Sequence, residues 1–155
     1  MKRAALILIG LLPLPVGFLI NHLMMTIWLY TFPGGTLLLI NLAILAIWFV
    51  SGWFFAKFFT SKREPLLLLN SAAILFIVLI LLQTVVLGGF WFNWLGVASQ
   101  FFYLPLMRLA SSLISFVAFF VPFPMTIPGW FFGLIEFCLL LLASYLGIRL
   151  GYARR

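Results

Sequence analysis

The stretch FFYLPLMRLASSLISFVAFFV (Phe101–Val121) decides the fold of this chain, because it is apolar enough to cross a membrane and yet carries a polar stripe. The polar side chains recur at i, i+3, i+4 and i+7 spacing, on one face of a helix: Arg108, Ser111, Ser112 and Ser115. A helix with one polar stripe is typical of a segment that lies in the membrane interface, or dips into the membrane and returns. The alternative is a membrane-crossing helix.

The rest of the chain is equally apolar. Hydrophobic residues make up 66% of the 155 residues and charged residues 7%, and the mean hydropathy is +1.32. A soluble domain carries about 25% charged residues. Since a membrane-crossing helix needs about 20 apolar residues, residues 1–155 are predicted to form a single transmembrane domain with no room for a separate soluble domain.

The predicted fold is an all-α membrane bundle with four crossing helices and an outer interfacial or re-entrant helix. The crossing segments are 4–30, 36–59, 66–87 and 129–150, and the outer segment is 90–128. A bundle of five crossing helices is the alternative. Pro13 and Pro15 should bend the first helix. The start MKRAALILIGLL resembles a secretory signal, but no small-residue cleavage site follows, so we expect it to be retained.

The basic residues predict the orientation, because cytoplasmic loops are enriched in Lys and Arg. With four crossings and both termini inside, eight of nine basic residues fall on one side: Lys2, Arg3, Lys57, Lys62, Arg63, Arg149, Arg154 and Arg155. Only Arg108 is left over. A net charge of +7 therefore indicates topology and not nucleic-acid binding. The absence of an N-x-S/T site fits a bacterial inner membrane, with both termini cytoplasmic.

The last crossing segment carries Glu136, one of only two acidic residues in the chain. Steps of three and four residues along a helix connect it with Leu140, Ser144 and a set of small residues: Gly129, Gly133, Ala143, Gly147 and Gly151. Stripes of small residues mark the places where membrane helices approach closely. We therefore expect Glu136 to face other protein and not lipid.

Counting about 1.5 Å of rise per residue places several polar side chains near the depth of Glu136, in the outer half of the membrane. They are Asn21, His22, Asn41, Gln83 and Arg108. We expect Glu136 to pair with Arg108 or His22, and the amides to complete a network. Two interpretations remain open: a structural clamp between helices, or a site for an ion, proton or ligand.

An enzyme is not expected. The chain has no Asp, one His and one Cys, whereas intramembrane aspartyl enzymes need two aspartates and zinc sites need several ligands. No cofactor or metal is expected. The first functional hypothesis is an accessory, partner-binding or immunity-type subunit of a membrane complex, with the lipid bilayer and a membrane protein or a second copy as partners. The second is a small proton- or cation-coupled transporter or channel, working as an oligomer through Glu136.

Overall fold

The computed structural model describes residues 1–26, 34–89, 91, 93–120 and 127–154, and these residues form helices without any strand. The seven α-helices of the described residues are α1 (Lys2–Gly10), α2 (Pro13–Thr26), α3 (Gly34–Ala56), α4 (Arg63–Leu81), α5 (Trp94–Tyr103), α6 (Met107–Phe120) and α7 (Gly129–Ala153). A π-helical turn (Leu82–Val86) continues α4, and a 3₁₀ turn (Leu104–Leu106) joins α5 to α6. The all-α class is confirmed.

Five helical stretches of the described chain are long and apolar enough to cross a membrane: 2–26, 35–56, 63–86, 94–120 and 129–153. The first is broken between Gly10 and Pro13, where the prolines were expected to bend it. The third begins at Arg63, earlier than predicted, because Pro65 lies in the first helical turn, where its missing N–H costs nothing. The predicted residues 27–30 of the first segment lie outside the described residues.

The start of α1, the α3–α4 link and the end of α7 meet at one end of the bundle. Arg3 Nη2 lies 2.7 Å from Glu64 Oε1, and the Tyr152 hydroxyl donates to the Phe59 carbonyl at 2.7 Å. The described basic residues of this end are all exposed; we call it the basic end, comprising Lys2, Arg3, Lys57, Lys62, Arg63, Arg149 and Arg154. Arg155 lies outside the described residues.

Helices α3 and α7 run parallel and in backbone contact. A Cβ added at Gly147 would overlap the carbonyl oxygen of Phe49, and one added at Gly151 would lie 2.5 Å from that of Trp53. On the facing helix, a Cβ at Gly52 would lie 2.7 Å from the Ser144 carbonyl oxygen. Glycine is required at these positions because any side chain would push the two helices apart.

A buried polar group joins three helices in the half of the bundle nearer the basic end. Asn70 on α4 donates to Ser144 Oγ on α7 at 2.8 Å and accepts from Trp48 Nε1 on α3 at 3.3 Å. All three side chains are fully buried. Their hydrogen bonds fix α3, α4 and α7 relative to one another.

Helix α5 enters the bundle from the end opposite the basic end and runs inward. In its middle, Ser99 Oγ accepts from Gln83 Nε2 of the π-helical turn at 3.2 Å. At its end, the Tyr103 hydroxyl donates to the Ala73 carbonyl of α4 at 2.7 Å. The second half of α5 thus leads from the π-helical turn toward the middle of α4. On its other side, α5 lies so close to α2 that a Cβ at Gly17 would overlap the Phe101 carbonyl oxygen.

The junction between α5 and α6 is held by one amide from another helix. In a continuous α-helix the Leu109 N–H would donate to the Pro105 carbonyl. Here it donates to Asn41 Oδ1 at 2.7 Å, and Asn41 Nδ2 donates to the Pro105 carbonyl instead. The buried Asn41 side chain therefore replaces the helical hydrogen bond that the junction lacks.

We expect Asn41→Leu to destabilise the protein, because it leaves the Pro105 carbonyl and the Leu109 N–H without their partner. Each unpaired buried group costs about 1–3 kcal/mol. The measurement is thermal unfolding in mild detergent. The matched control is Asn21→Leu, since Asn21 is half-buried and makes no side-chain hydrogen bond within the described chain. Equal midpoints for the two variants would contradict this role of Asn41.

Candidate functional site

Glu136 lies on the inward face of α7 and is only 2% exposed. The residues that share its stripe in the same helix are also buried: Gly133, Leu140, Ser144, Gly147 and Gly151. A helix turns by a fixed angle per residue, so the spacing places these side chains on one face. That face is covered by α3 and α4, with α5 and the 3₁₀ turn near the end of α7 opposite the basic end.

The Glu136 side chain lines a cavity of about 320 Å³. The cavity lies where the first turns of α7 face the α5–α6 junction. Its lining residues are Ile80, Gln100, Tyr103, Leu104, Met107, Gly129, Phe132, Gly133 and Glu136. Three of them, Gln100, Met107 and Gly129, are exposed. The cavity therefore opens to the surface of the bundle on that side.

Within the described residues, the Glu136 carboxyl group receives no hydrogen bond and forms no ion pair; the one salt bridge found there joins Arg3 to Glu64. An ionised carboxylate buried without a partner is costly, by several kcal/mol. A carboxyl group in this position therefore stays neutral or takes a partner from the cavity. The structural amides are different, since Asn41, Asn70 and Gln83 are all hydrogen-bonded inside the protein.

The other polar groups of the cavity leave oxygen atoms available. Tyr103 uses its hydroxyl proton in the bond to the Ala73 carbonyl, which leaves its oxygen able to act only as an acceptor toward other groups. Gln100 donates through Nε2 to the Gly96 carbonyl at 3.3 Å, which leaves its amide oxygen as an acceptor. One carboxyl and two neutral oxygens suit a proton, a monovalent cation or an ammonium group.

A multivalent metal centre does not fit the described residues, among which no group of three His, Cys, Asp or Glu side chains comes together. The described His22 and Cys138 are both exposed, and neither lines the cavity. A cation at this site would therefore have a single negative charge as its counter-ion, which is the charge balance of a monovalent species.

The two predicted amides serve other purposes than binding Glu136. Asn41 binds the α5–α6 junction. Gln83 accepts from the Trp91 backbone N–H at 3.0 Å and donates to Ser99, which fixes the start of α5 against the end of α4. Both amides therefore position the segment that covers the cavity, although neither contacts Glu136 directly.

The expected pairing of Glu136 with Arg108 or His22 is not formed. Both side chains are exposed, and Asn21 is half-buried; none of the three donates to Glu136. His22 lies on α2, which packs against α5 and the 3₁₀ turn. Arg108 follows the cavity residue Met107 in sequence but does not itself line the cavity.

The small residues of the predicted stripe divide between packing and the site. Gly147 and Gly151 contact the backbone of α3, and the half-buried Ala143 packs against the core. Gly133 has room for a Cβ, which would lie at the ordinary van der Waals distance of 3.5 Å from Ile80 Cδ1. Gly129 is exposed at the rim of the cavity. Along this stripe, α7 therefore packs most closely on its neighbours toward the basic end and less closely around Glu136.

The cavity residues that sequence reasoning missed are Tyr103 and Gln100. Tyr103 directly precedes Leu104–Pro105, where an apolar helix must break. A tyrosine at such a break lies beside freed backbone groups inside the membrane, and this is the signal by which it could be found.

Comparisons with protein-family models, with curated proteins and with solved structures give no match. Any function of the cavity is therefore inferred from the residues that line it.

Proposed function

We propose that this chain is a non-enzymatic, multi-pass membrane protein that binds a proton or another monovalent cation at Glu136, and that this binding couples transport. The observation that supports it is a carboxyl group at 2% exposure that is unpaired within the described chain and lines a largely apolar cavity together with Tyr103 and Gln100. A purely structural carboxyl would be expected to have a protein partner, as the three buried amides do. Membrane-embedded carboxyl groups commonly serve proton and ion pathways.

The proposed topology has four crossing helices, with the α5–α6 segment re-entering from the outer side. Met107, the first residue of α6, lines the same cavity as Glu136, and Glu136 is seven residues, or about 10 Å, below Gly129. If α6 continued toward the basic end, its 14 residues would carry Phe120 about 20 Å further. The eight residues between Phe120 and Gly129 would then have to span about 30 Å, close to their full reach at about 3.3–3.6 Å each.

Such an extended crossing would leave backbone N–H and C=O groups without partners in lipid, which the membrane does not tolerate. A return of α6 toward the outer side needs no such crossing. The basic end then faces the cytoplasm, with both termini inside a bacterial inner membrane, as the enrichment of Lys and Arg in cytoplasmic loops favours. Arg108 and the serines of α6 lie in the outer half.

Single-cysteine labelling tests this topology in a Cys138→Ala background. With intact cells and a membrane-impermeant maleimide, we expect Gly89→Cys and Phe120→Cys to react from outside. Ser61→Cys and Ala153→Cys should react only after the cells are opened. All four positions are exposed. Reaction of Phe120→Cys only in opened cells would place the end of α6 inside and contradict the re-entrant arrangement.

Transport is tested with purified protein in liposomes that contain a pH-sensitive dye. A sodium or potassium gradient is imposed, and the change in internal pH is followed against protein-free liposomes. We expect a faster change with protein. A bundle of this size has little room for a pathway within one chain, so we propose that the working unit is a homo-oligomer. Cross-linking in the same liposomes tests for the homo-oligomer.

A second proposed function, an accessory subunit of a larger membrane complex, is favoured by the outer face of α6. Arg108, Ser112 and Ser115 are exposed there, and the serine hydroxyls donate to carbonyls of their own helix. Arg108 would be free to meet a carboxylate of another membrane protein. Copurification of one defined partner in mild detergent, lost in Arg108→Gln and kept in Lys57→Gln, would support this function over transport by the chain alone.

A further inference from the structure

A second site lies at the basic end, far from Glu136. A groove of about 150 Å³ runs between the start of α4 and the last turns of α7. We call it the basic groove, and it is lined by Lys62, Arg63, Leu66, Tyr145, Ile148 and Arg149. Arg149 follows Glu136 by 13 residues, which is about 20 Å along α7. The basic groove is therefore separate from the Glu136 cavity.

The three cations of the basic groove have no acidic partner within the described chain. The one acidic side chain at this end, Glu64, is held by Arg3 at 2.7 Å on another side of the bundle, where it lines a different cavity with Lys2 and Phe58. Lys62, Arg63 and Arg149 are all exposed. Lys62 Nζ lies 5.6 Å from the centre of the Tyr152 ring, which is a neutral partner. Three neighbouring positive charges without a counter-ion attract an anion.

The groove also has an apolar part, which indicates what kind of anion it suits. Its lining includes the half-buried Leu66 and the buried Ile148, and the Tyr145 ring is 47% exposed beside them. From there the lipid-facing surface of α7 continues through Leu146 and Leu142, which are 45% and 54% exposed. A free phosphate ion would use only the cations, whereas a phospholipid would also use the apolar surface.

We propose that the basic groove binds the phosphodiester headgroup of an anionic phospholipid in the cytoplasmic leaflet. Arg63 and Arg149 offer planar guanidinium groups to the phosphate oxygens, and Lys62 adds a third charge. The acyl chains follow the exposed leucines of α7 toward the membrane centre, and Tyr145 lies at the level of the interface. Basic pockets between membrane helices on the cytoplasmic side suit such headgroups.

The test uses the full-length protein reconstituted in nanodiscs of phosphatidylcholine with phosphatidylglycerol. The protein is released from the nanodiscs in the mass spectrometer, and its mass with retained lipids is measured under native conditions. We expect phosphatidylglycerol to be retained in preference to phosphatidylcholine. The combined variant Lys62→Gln, Arg63→Gln and Arg149→Gln should bind it about 100-fold more weakly, since each basic residue near the membrane surface contributes a factor of about 5. The single variant Arg149→Gln should bind it about 5-fold more weakly and applies where the combined variant does not fold.

The matched control removes three positive charges from the same end but outside the groove: Lys2→Gln, Lys57→Gln and Arg154→Gln. This variant should retain the lipid as the unchanged protein does. If phosphatidylglycerol binding were weakened equally in the control and the groove variant, the proposal would be overturned, because binding would then follow net charge alone. Unchanged binding in the groove variant would also overturn it. Displacement of the lipid by an equal concentration of glycerol phosphate would assign the groove to a free anion instead.

Discussion

Glu136→Gln is expected to reduce cation-coupled flux in liposomes to the rate of protein-free liposomes. Gln has nearly the same shape as Glu, but its amide neither releases a proton nor carries the charge that holds a cation. The fold should remain intact, because within the described residues Glu136 has no hydrogen bond or ion pair to lose. The measurement is internal pH under an imposed sodium or potassium gradient, alongside the thermal midpoint in detergent.

The matched control is Glu64→Gln, which changes the only other acidic side chain of the chain. Glu64 lies at the basic end, paired with Arg3, so its loss should leave flux unchanged. Glu136→Asp provides a graded comparison, since it keeps the carboxyl group but withdraws it by one methylene; we expect reduced but measurable flux. Wild-type flux in Glu136→Gln, or a large drop in its thermal midpoint, would make the carboxyl a structural group.

Gly147→Ala is expected to cause the largest loss of stability among alanine substitutions at the α3–α7 contact. Its Cβ would overlap the carbonyl oxygen of Phe49, and backbone atoms cannot move aside as a flexible side chain can. Overpacking of this kind costs about 1–3 kcal/mol, and Gly147→Leu should prevent α3 and α7 from packing at all. The midpoint of thermal unfolding in mild detergent measures the first effect, and size-exclusion chromatography detects the second.

Gly35→Ala is the matched control on α3, because an added Cβ there meets no atom of the described residues within 4 Å. Alanine is the better helix former, so this variant should be as stable as the unchanged protein or slightly more stable. Gly151→Ala should fall between the two, since its Cβ would lie 2.5 Å from the Trp53 carbonyl oxygen. A Gly147→Ala protein that melts together with Gly35→Ala would contradict the close contact of α3 with α7.

The inward position of Glu136 was predictable from sequence because the helical period is fixed. Once residues 129–153 form one helix, steps of three and four from Glu136 necessarily reach Gly133, Leu140 and Gly147 on the same side. The all-α class followed from the long continuous apolar runs, since a membrane span is a helix or a closed β-barrel and barrel strands alternate apolar with polar residues. Both predictions could be made without information on which helices contact one another.

The partners of Glu136 were not predictable by the same means. Counting residues gives depth along each helix, but not which helices touch or how each is rotated. Asn41 lies near the depth of Glu136, yet it faces the α5–α6 junction and binds Pro105 and Leu109. The junction itself brings Tyr103 and Gln100 to the cavity. Its position depends on contacts between distant segments, which the spacing within one helix does not encode.

Transport by this chain requires that the Glu136 carboxyl be open to an exchanging proton or cation. The most direct measurement is labelling with a hydrophobic carbodiimide, which reacts with carboxyl groups in apolar surroundings. Mass spectrometry then distinguishes the only two carboxyl side chains, Glu136 and Glu64. We expect modification of Glu136 but not of Glu64, with flux falling in proportion to the modified fraction. An unmodified Glu136, or a fully modified Glu136 with undiminished flux, would contradict it.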